Sequence, residues 1–233
     1  MAKKAKKLAV HLTDKEQIWA IVYLLASYFL LPGLLQLLSS VLPVPLGSVW
    51  INFLYFTINF IMILWIFHGF FKRSLVYAGR NVGDFLLAVV LGSAVYWLCN
   101  WGYSELLRRF FPGFLNLNDS SISVMVSQNF VIMFLGTVLF VPITEEAFHR
   151  ALIFGSLYPK SHAMAYVLSA VIFASIHIVG FVGVYGPLNL ALAFLQYIPA
   201  GLILAWVYRK SGSIFAPILM HAVINAVGMF ASR

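Results

Sequence analysis

Apolar residues in this chain run in blocks of about 20 positions, the length needed to cross a hydrocarbon core about 30 Å thick. Short polar or basic punctuation separates them. The blocks predict transmembrane helices over about Ile18 to Leu42, Val49 to Phe71, Phe85 to Leu107, Ile122 to Tyr158, His162 to Gly183, Leu188 to Tyr208 and Ile214 to Phe230. Pro32-Gly33 predicts a kink in the first. Lys72 to Arg80 reads as a short basic segment at the cytoplasmic surface, and Pro112 to Ser121, rich in Pro, Asn, Asp and Ser, as a polar external loop. The fourth block would reach about 55 Å as straight helix, so it must kink, protrude or break, and Pro142 is the expected place. The predicted fold class is all-α: a polytopic transmembrane helix bundle of seven spans, or eight if the fourth block splits, with the N-terminus in the cytoplasm.

Composition agrees with the pattern. Of the 233 residues, 62% are apolar or aromatic and 9% are charged, against about 25% charged in ordinary soluble domains. That imbalance excludes both a water-soluble globule and intrinsic disorder. A net charge of +8 raises nucleic acid as a partner, but the placement of the charges argues for a membrane instead. Seven spans starting inside put Lys3, Lys4, Lys6, Lys7, Lys15, Lys72, Arg73, Arg80, Lys160, Arg209 and Lys210 on the cytoplasmic side. Arg108, Arg109 and Arg233 fall outside and Arg150 within a span, the distribution of positive-inside orientation. The first apolar run is too long for a cleavable leader and reads as a signal anchor. The lone Cys99 has no partner for a disulfide or a cysteine metal site. The expected organisation is one integral membrane domain over 1–233, with a basic cytoplasmic tail at 1–17 and a helical core at 122–233. No internal repeat is evident, and Asn118-Asp119-Ser120 matches a glycosylation sequon only weakly.

A charge at mid-membrane costs about 2.5 to 3.5 kcal/mol on insertion scales, so polar groups inside spans require a reason. They are Glu145, Glu146, His149 and Arg150 in the fourth block, His177 in the fifth, and His221 and Asn225 in the seventh. Glu146 and Arg150, four apart, share a helix face and can pair, while Glu145 points about 100° away. His221 and Asn225 are also four apart. With spans centred near Ile143, Phe173 and Ala222, Glu145, His177 and His221 lie about 3, 6 and 2 Å from the midplane and can converge. A single buried His in a membrane bundle is more often a helix-to-helix hydrogen bond than a catalyst. Two carboxylates, an arginine and two histidines with little else polar nearby favour a site. His11, His68 and His162 lie at span ends or in loops.

A carboxylate beside an imidazole can share a proton with a bound water and make that water nucleophilic. Glu145 with His177 fits this role. His221 and Asn225 can supply donors to a developing oxyanion. Rival mechanisms lack their residues. There is no His-Glu-x-x-His helix for zinc, and only Asp84 lies near the interior for an aspartyl pair. No serine stands out with a basic partner, and Glu146-Ala-Phe-His149 is one half of a di-iron pattern without its second copy. No cofactor is expected; a single divalent metal such as zinc held by Glu145, His177 and His221 is the alternative.

Three motifs carry a family resemblance: Glu145-Glu146-Ala147-Phe148-His149-Arg150, Phe173-Ala-Ser-Ile-His177 and His221-Ala-Val-Ile-Asn225. In this order they resemble the Glu-Glu-x-x-x-Arg, Phe-x-x-x-His and His-x-x-x-Asn signature of the CPBP or Abi intramembrane proteases, which include the type II CAAX prenyl endopeptidases. The likeness covers about Val141 to Val227. It implies Glu145 as the water-activating base, His177 as its partner, and His221 with Asn225 as oxyanion donors. Glu146 and Arg150 would support the site, with Phe173 packing beneath His177. Many members carry an aromatic residue before the Arg and Gly after it, where this chain has His149 and Ala151.

The expected activity is therefore a multi-pass endopeptidase in a cell membrane, with a peptide or lipid-anchored protein tail as substrate, membrane lipids around it and no nucleic acid. The compact chain points to a prokaryote. Two other classes stand beside it: a non-catalytic membrane protein for bacteriocin self-immunity or regulation, and a proton-coupled transporter. Intact motifs favour the enzyme over the first, and the absence of repeated halves disfavours the second.

Overall fold

The computed structural model describes residues 8–231, and Lys3, Lys4, Lys6, Lys7 and Arg233 of the charge pattern lie outside them. Apolar runs without strand alternation fold as helices, since within a bilayer every backbone group must find its partner inside the segment. Helix α1 (Asp14–Phe29) opens on a reciprocal cap: Thr13 Oγ1 accepts from Glu16 N at 3.2 Å, and Glu16 Oε2 accepts from Thr13 N at 2.8 Å. Helix α2 (Leu31–Ser40) follows with a 43° bend. The break sits at Leu30, just before the expected Pro32-Gly33. Pro32 has no N–H to continue the α1 ladder and is tolerated in the first turn of a new helix.

Helix α3 (Ser48–Arg80) has 33 residues. The expected basic surface segment Lys72 to Arg80 is not separate; it continues α3. Its inner face has packing partners: Phe70, Phe71 and Ser74 are buried, and Ser74 Oγ accepts from Ile214 N at 2.9 Å. Helix α4 (Val82–Phe110) follows after Asn81 alone. The expected polar loop is partly helical too, because Asn116 caps helix α5 (Leu117–Gln128) by accepting from Asp119 N at 3.2 Å.

Helix α6 (Phe130–Leu157) carries the rest of the fourth block. The break falls at Asn129, with extended backbone and its side chain accepting from Ile132 N at 3.2 Å, and not at Pro142. Wider π-helical turns over Leu135–Phe140 precede Pro142, which sits in the first turn of an α stretch, Val141–Glu146. The change of winding absorbs the missing proline N–H without ending the helix. Helix α7 (His162–Ile178) runs into a 3₁₀ turn, Val179–Phe181, and is followed by α8 (Pro187–Ser211) and α9 (Phe215–Ala231). Gly212, at φ +70°, ends α8 in the left-handed conformation that favours glycine, its N–H donating to Tyr208 O at 2.9 Å.

Five helices, α3, α4, α6, α7 with its 3₁₀ turn, and α8, are each long and apolar enough to cross a membrane; the bent α1–α2 pair makes a sixth. Helix α9, at 17 residues, is apolar but shorter. The chain is an all-α multi-pass membrane protein, and large apolar side chains such as Trp65, Leu98 and Val131 cover its exterior. Basic residues gather at one end of the bundle. There Arg73 pairs with Glu16 at 2.6 Å, Lys210 with Asp84 at 3.5 Å, and Arg209 Nε donates to Tyr158 Oη at 2.6 Å. Residues 8–12, within the expected basic tail, pack at this end. Leu8, Val10 and Leu12 are buried while Ala9 and His11 are exposed.

Candidate active site

The winding of α6 places the acidic motif. Glu145 and Glu146 end the α stretch, and π-helical turns continue over Ala147–Phe154. Arg150 Nε still lies 3.1 Å from Glu146 Oε2, both side chains fully buried, as their spacing predicts. The other Glu146 oxygen accepts from His221 Nδ1 at 2.8 Å. A buried row thus runs Arg150, Glu146, His221. Arg150 is further held by donation from Nη2 to Gly201 O at 3.2 Å and by the Phe173 ring, 4.5 Å from its guanidinium carbon. The approach of α8 that brings the Gly201 carbonyl within reach leaves no room for a side chain, since a Cβ there would lie 2.8 Å from Ala170 Cα.

Glu145 faces elsewhere. Its Oε2 is 4.0 Å from His177 Nε2 and 3.9 Å from His221 Nε2, so one carboxylate oxygen looks at two imidazole nitrogens from α7 and α9. His177 Nδ1 is 2.7 Å from Phe173 O. A carbonyl only accepts, so this contact places a proton on Nδ1 and turns Nε2 toward Glu145. The side chains of Glu145 and His177 keep 17% and 15% of their exposure, against none for Glu146. The first pair is accessible and the supporting pair is not. Phe173 lies 4.7 Å from His177 and 5.9 Å from His221, ring to ring.

Asn225 lies one turn beyond His221, but one N–H of its amide donates to Thr137 O at 2.9 Å. The second N–H remains for other partners. His149, whose role the motif leaves open, is fully buried. Its Nδ1 donates to Glu145 O at 2.7 Å, its carbonyl accepts from Ser169 Oγ at 2.9 Å, and its ring meets the Phe173 ring at 85°. It therefore braces the backbone that carries Glu145. Sequence spacing also gave no sign of Tyr197, stacked on His177 at 4.3 Å and 27°. Its hydroxyl donates to Asp119 at 2.8 Å and accepts from Asn116 and Asn118 at 3.0 and 3.1 Å. Nothing in its neighbourhood repeats a motif; only the packing of α8 on α7 reveals it.

For metal, among the described residues no group of three or more His, Cys, Asp and Glu is spaced to hold an ion. The separations of 3.9 and 4.0 Å around Glu145 exceed the edge of a tetrahedral zinc site, about 3.3 Å for bonds near 2.0 Å. They suit a single bridging water, which sits about 2.8 Å from each polar neighbour.

This geometry lies inside one matched stretch of sequence. Residues 127–227 match the family model of the type II CAAX prenyl endopeptidases, Rce1-like. The matched stretch is similar to that family and contains all three motifs and α6 to α9 almost whole. A relative 26% identical over 144 residues, the UPF0177 protein YxdF of Lactococcus lactis subsp. lactis (strain IL1403), is matched over 58% of this chain and 75% of its own length. A second, the UPF0177 protein in the abiGi 5′ region of Lactococcus lactis subsp. cremoris, is 24% identical over 160 residues, or 68% of this chain and 62% of that protein. No solved structure matches the chain.

Proposed function

We propose that this Rce1-like chain is an intramembrane endopeptidase that hydrolyses a peptide bond in a membrane-associated peptide or protein tail through a water activated by Glu145 and His177. The observation that carries the reading is the single Glu145 oxygen facing two imidazole nitrogens at 4.0 and 3.9 Å, in a site otherwise closed by Phe173 and the buried ion pair. A water between Glu145 Oε2 and His177 Nε2 loses a proton to the carboxylate as its oxygen attacks the scissile carbonyl. The oxyanion takes donation from His221 Nε2 and from the second N–H of Asn225. Glu145 then returns the proton to the leaving amine. His221 can donate from Nε2 while Nδ1 serves Glu146 only when both nitrogens carry protons. Glu146 is the counter-charge to that cation, and Arg150 completes a row in which no charge stands alone.

The test compares protein termini in membranes and medium from cells producing the wild type, Glu145→Ala or His177→Ala at matched levels. Loss of the same set of termini in both variants supports the assignment and names the substrate. Identical termini in all three sink it. The convergence of Glu145, His177 and His221 also keeps a metal reading in the experiment. Activity removed by a strong chelator and restored by zinc favours that reading, while insensitivity favours water activation by the side chains alone.

A further inference from the structure

Away from this site, two adjoining clefts open at the basic end of the bundle, between the N-terminal segment and α3. One, of about 550 Å³, lies between Ala9–His11 and the α3 face carrying Lys72, Val76 and Arg80, which are spaced four apart and so line up along the helix. The other, of about 400 Å³, is lined by Lys15, His68, Trp19 and Trp65, and Arg73 borders both. The charges do not cancel. Glu16 is taken by Arg73 at 2.6 Å, whereas among the described residues Lys15, Lys72 and Arg80 have no carboxylate partner.

Depth gives the occupant. Trp65 is seven residues before Lys72 on α3, about 10 Å deeper toward the membrane. Trp65 and Trp19 stand 6.4 Å apart and are 62% and 48% exposed, as indoles are at the level of lipid headgroups. A ligand spanning both clefts meets unpaired cations at its outer part and aromatic rings at its inner part. We propose that the paired clefts hold an anionic phospholipid, its phosphate against Lys72 and Arg80 and its glycerol and upper acyl chains along Trp19 and Trp65. The site is independent of the catalytic reading, since it shares no residue with it.

The test is native mass spectrometry of the whole protein purified with an equal mixture of phosphatidylglycerol and phosphatidylcholine. The wild type is expected to retain phosphatidylglycerol preferentially. Lys72→Gln with Arg80→Gln should lower that retention at least about tenfold, two headgroup charges having been removed. Lys160→Gln, an unpaired cation at the same end outside the clefts, should leave it unchanged. Arg80→Gln alone, at the exposed end of α3, serves if the double variant does not purify, with a several-fold loss expected. Equal retention of both lipids by the wild type, or an equal loss in Lys160→Gln, overturns the proposal. So does full displacement by excess inorganic phosphate, which marks a site for the free anion.

Discussion

The interior site and the basic end each contain an arginine–glutamate pair, and the two pairs differ in what they do. Arg73 and Glu16 meet at 2.6 Å with Arg73 still 42% exposed, while Arg150 and Glu146 meet at 3.1 Å with neither exposed at all. The shorter contact is the weaker one. At the basic end Arg73 stays open to water and counterions, so the pair adds little to stability. In the interior nothing competes, and removing either partner strands a charge where it has no other solvent. Distance alone therefore misranks the two, and burial decides which arginine the fold depends on.

That contrast is broken first by Arg150→Met. We expect it to lose about 3 to 5 kcal/mol, because the buried Glu146 carboxylate loses its permanently charged partner and keeps only the His221 hydrogen bond. Unfolding in mixed micelles measures this, and Glu146→Gln added to Arg150→Met should recover a large part by removing the stranded charge. A loss below about 1 kcal/mol for the single change would place Arg150 with the surface pairs. Gly201→Val sharpens the comparison at an intermediate level. Its side chain would press on the Ala170 backbone, which cannot yield, and would displace the carbonyl that receives Arg150. The expected loss is about 1 to 3 kcal/mol, read in the same unfolding assay. Glu16→Gln at the basic end has the smallest effect, under about 1 kcal/mol after solvent screening and smaller still at high salt.

Much of the architecture was legible because a bilayer imposes a coarse requirement. About 20 apolar residues per crossing is a compositional signal that survives without any knowledge of neighbours. The same poverty of polar groups made Glu145, Glu146, Arg150, His177, His221 and Asn225 conspicuous, and the four-residue spacing of Glu146 and Arg150 correctly gave their ion pair. Boundaries were less legible. The sequence suggested breaks at Pro32-Gly33 and Pro142, but the chain breaks at Leu30 and Asn129. A proline removes one donor, and whether a helix ends there depends on how neighbouring turns rewind. Lys72 to Arg80 looked like a surface segment because it is basic, yet it remains helix because its other face packs on the start of α9.

By itself the sequence determined that this protein lies in a membrane, that its second half carries three motifs resembling those of one family, and which few polar residues sit where polarity is costly. These follow from composition and from spacing along one helix, which are local properties. Only the tertiary structure decided that one Glu145 oxygen faces both histidines, that Glu146 orients His221, and that Tyr197 stacks on His177. Those relations join residues tens of positions apart on different helices. They are fixed by how α6, α7, α8 and α9 pack, through contacts such as Gly201 on Ala170, and no periodicity within one helix contains that information.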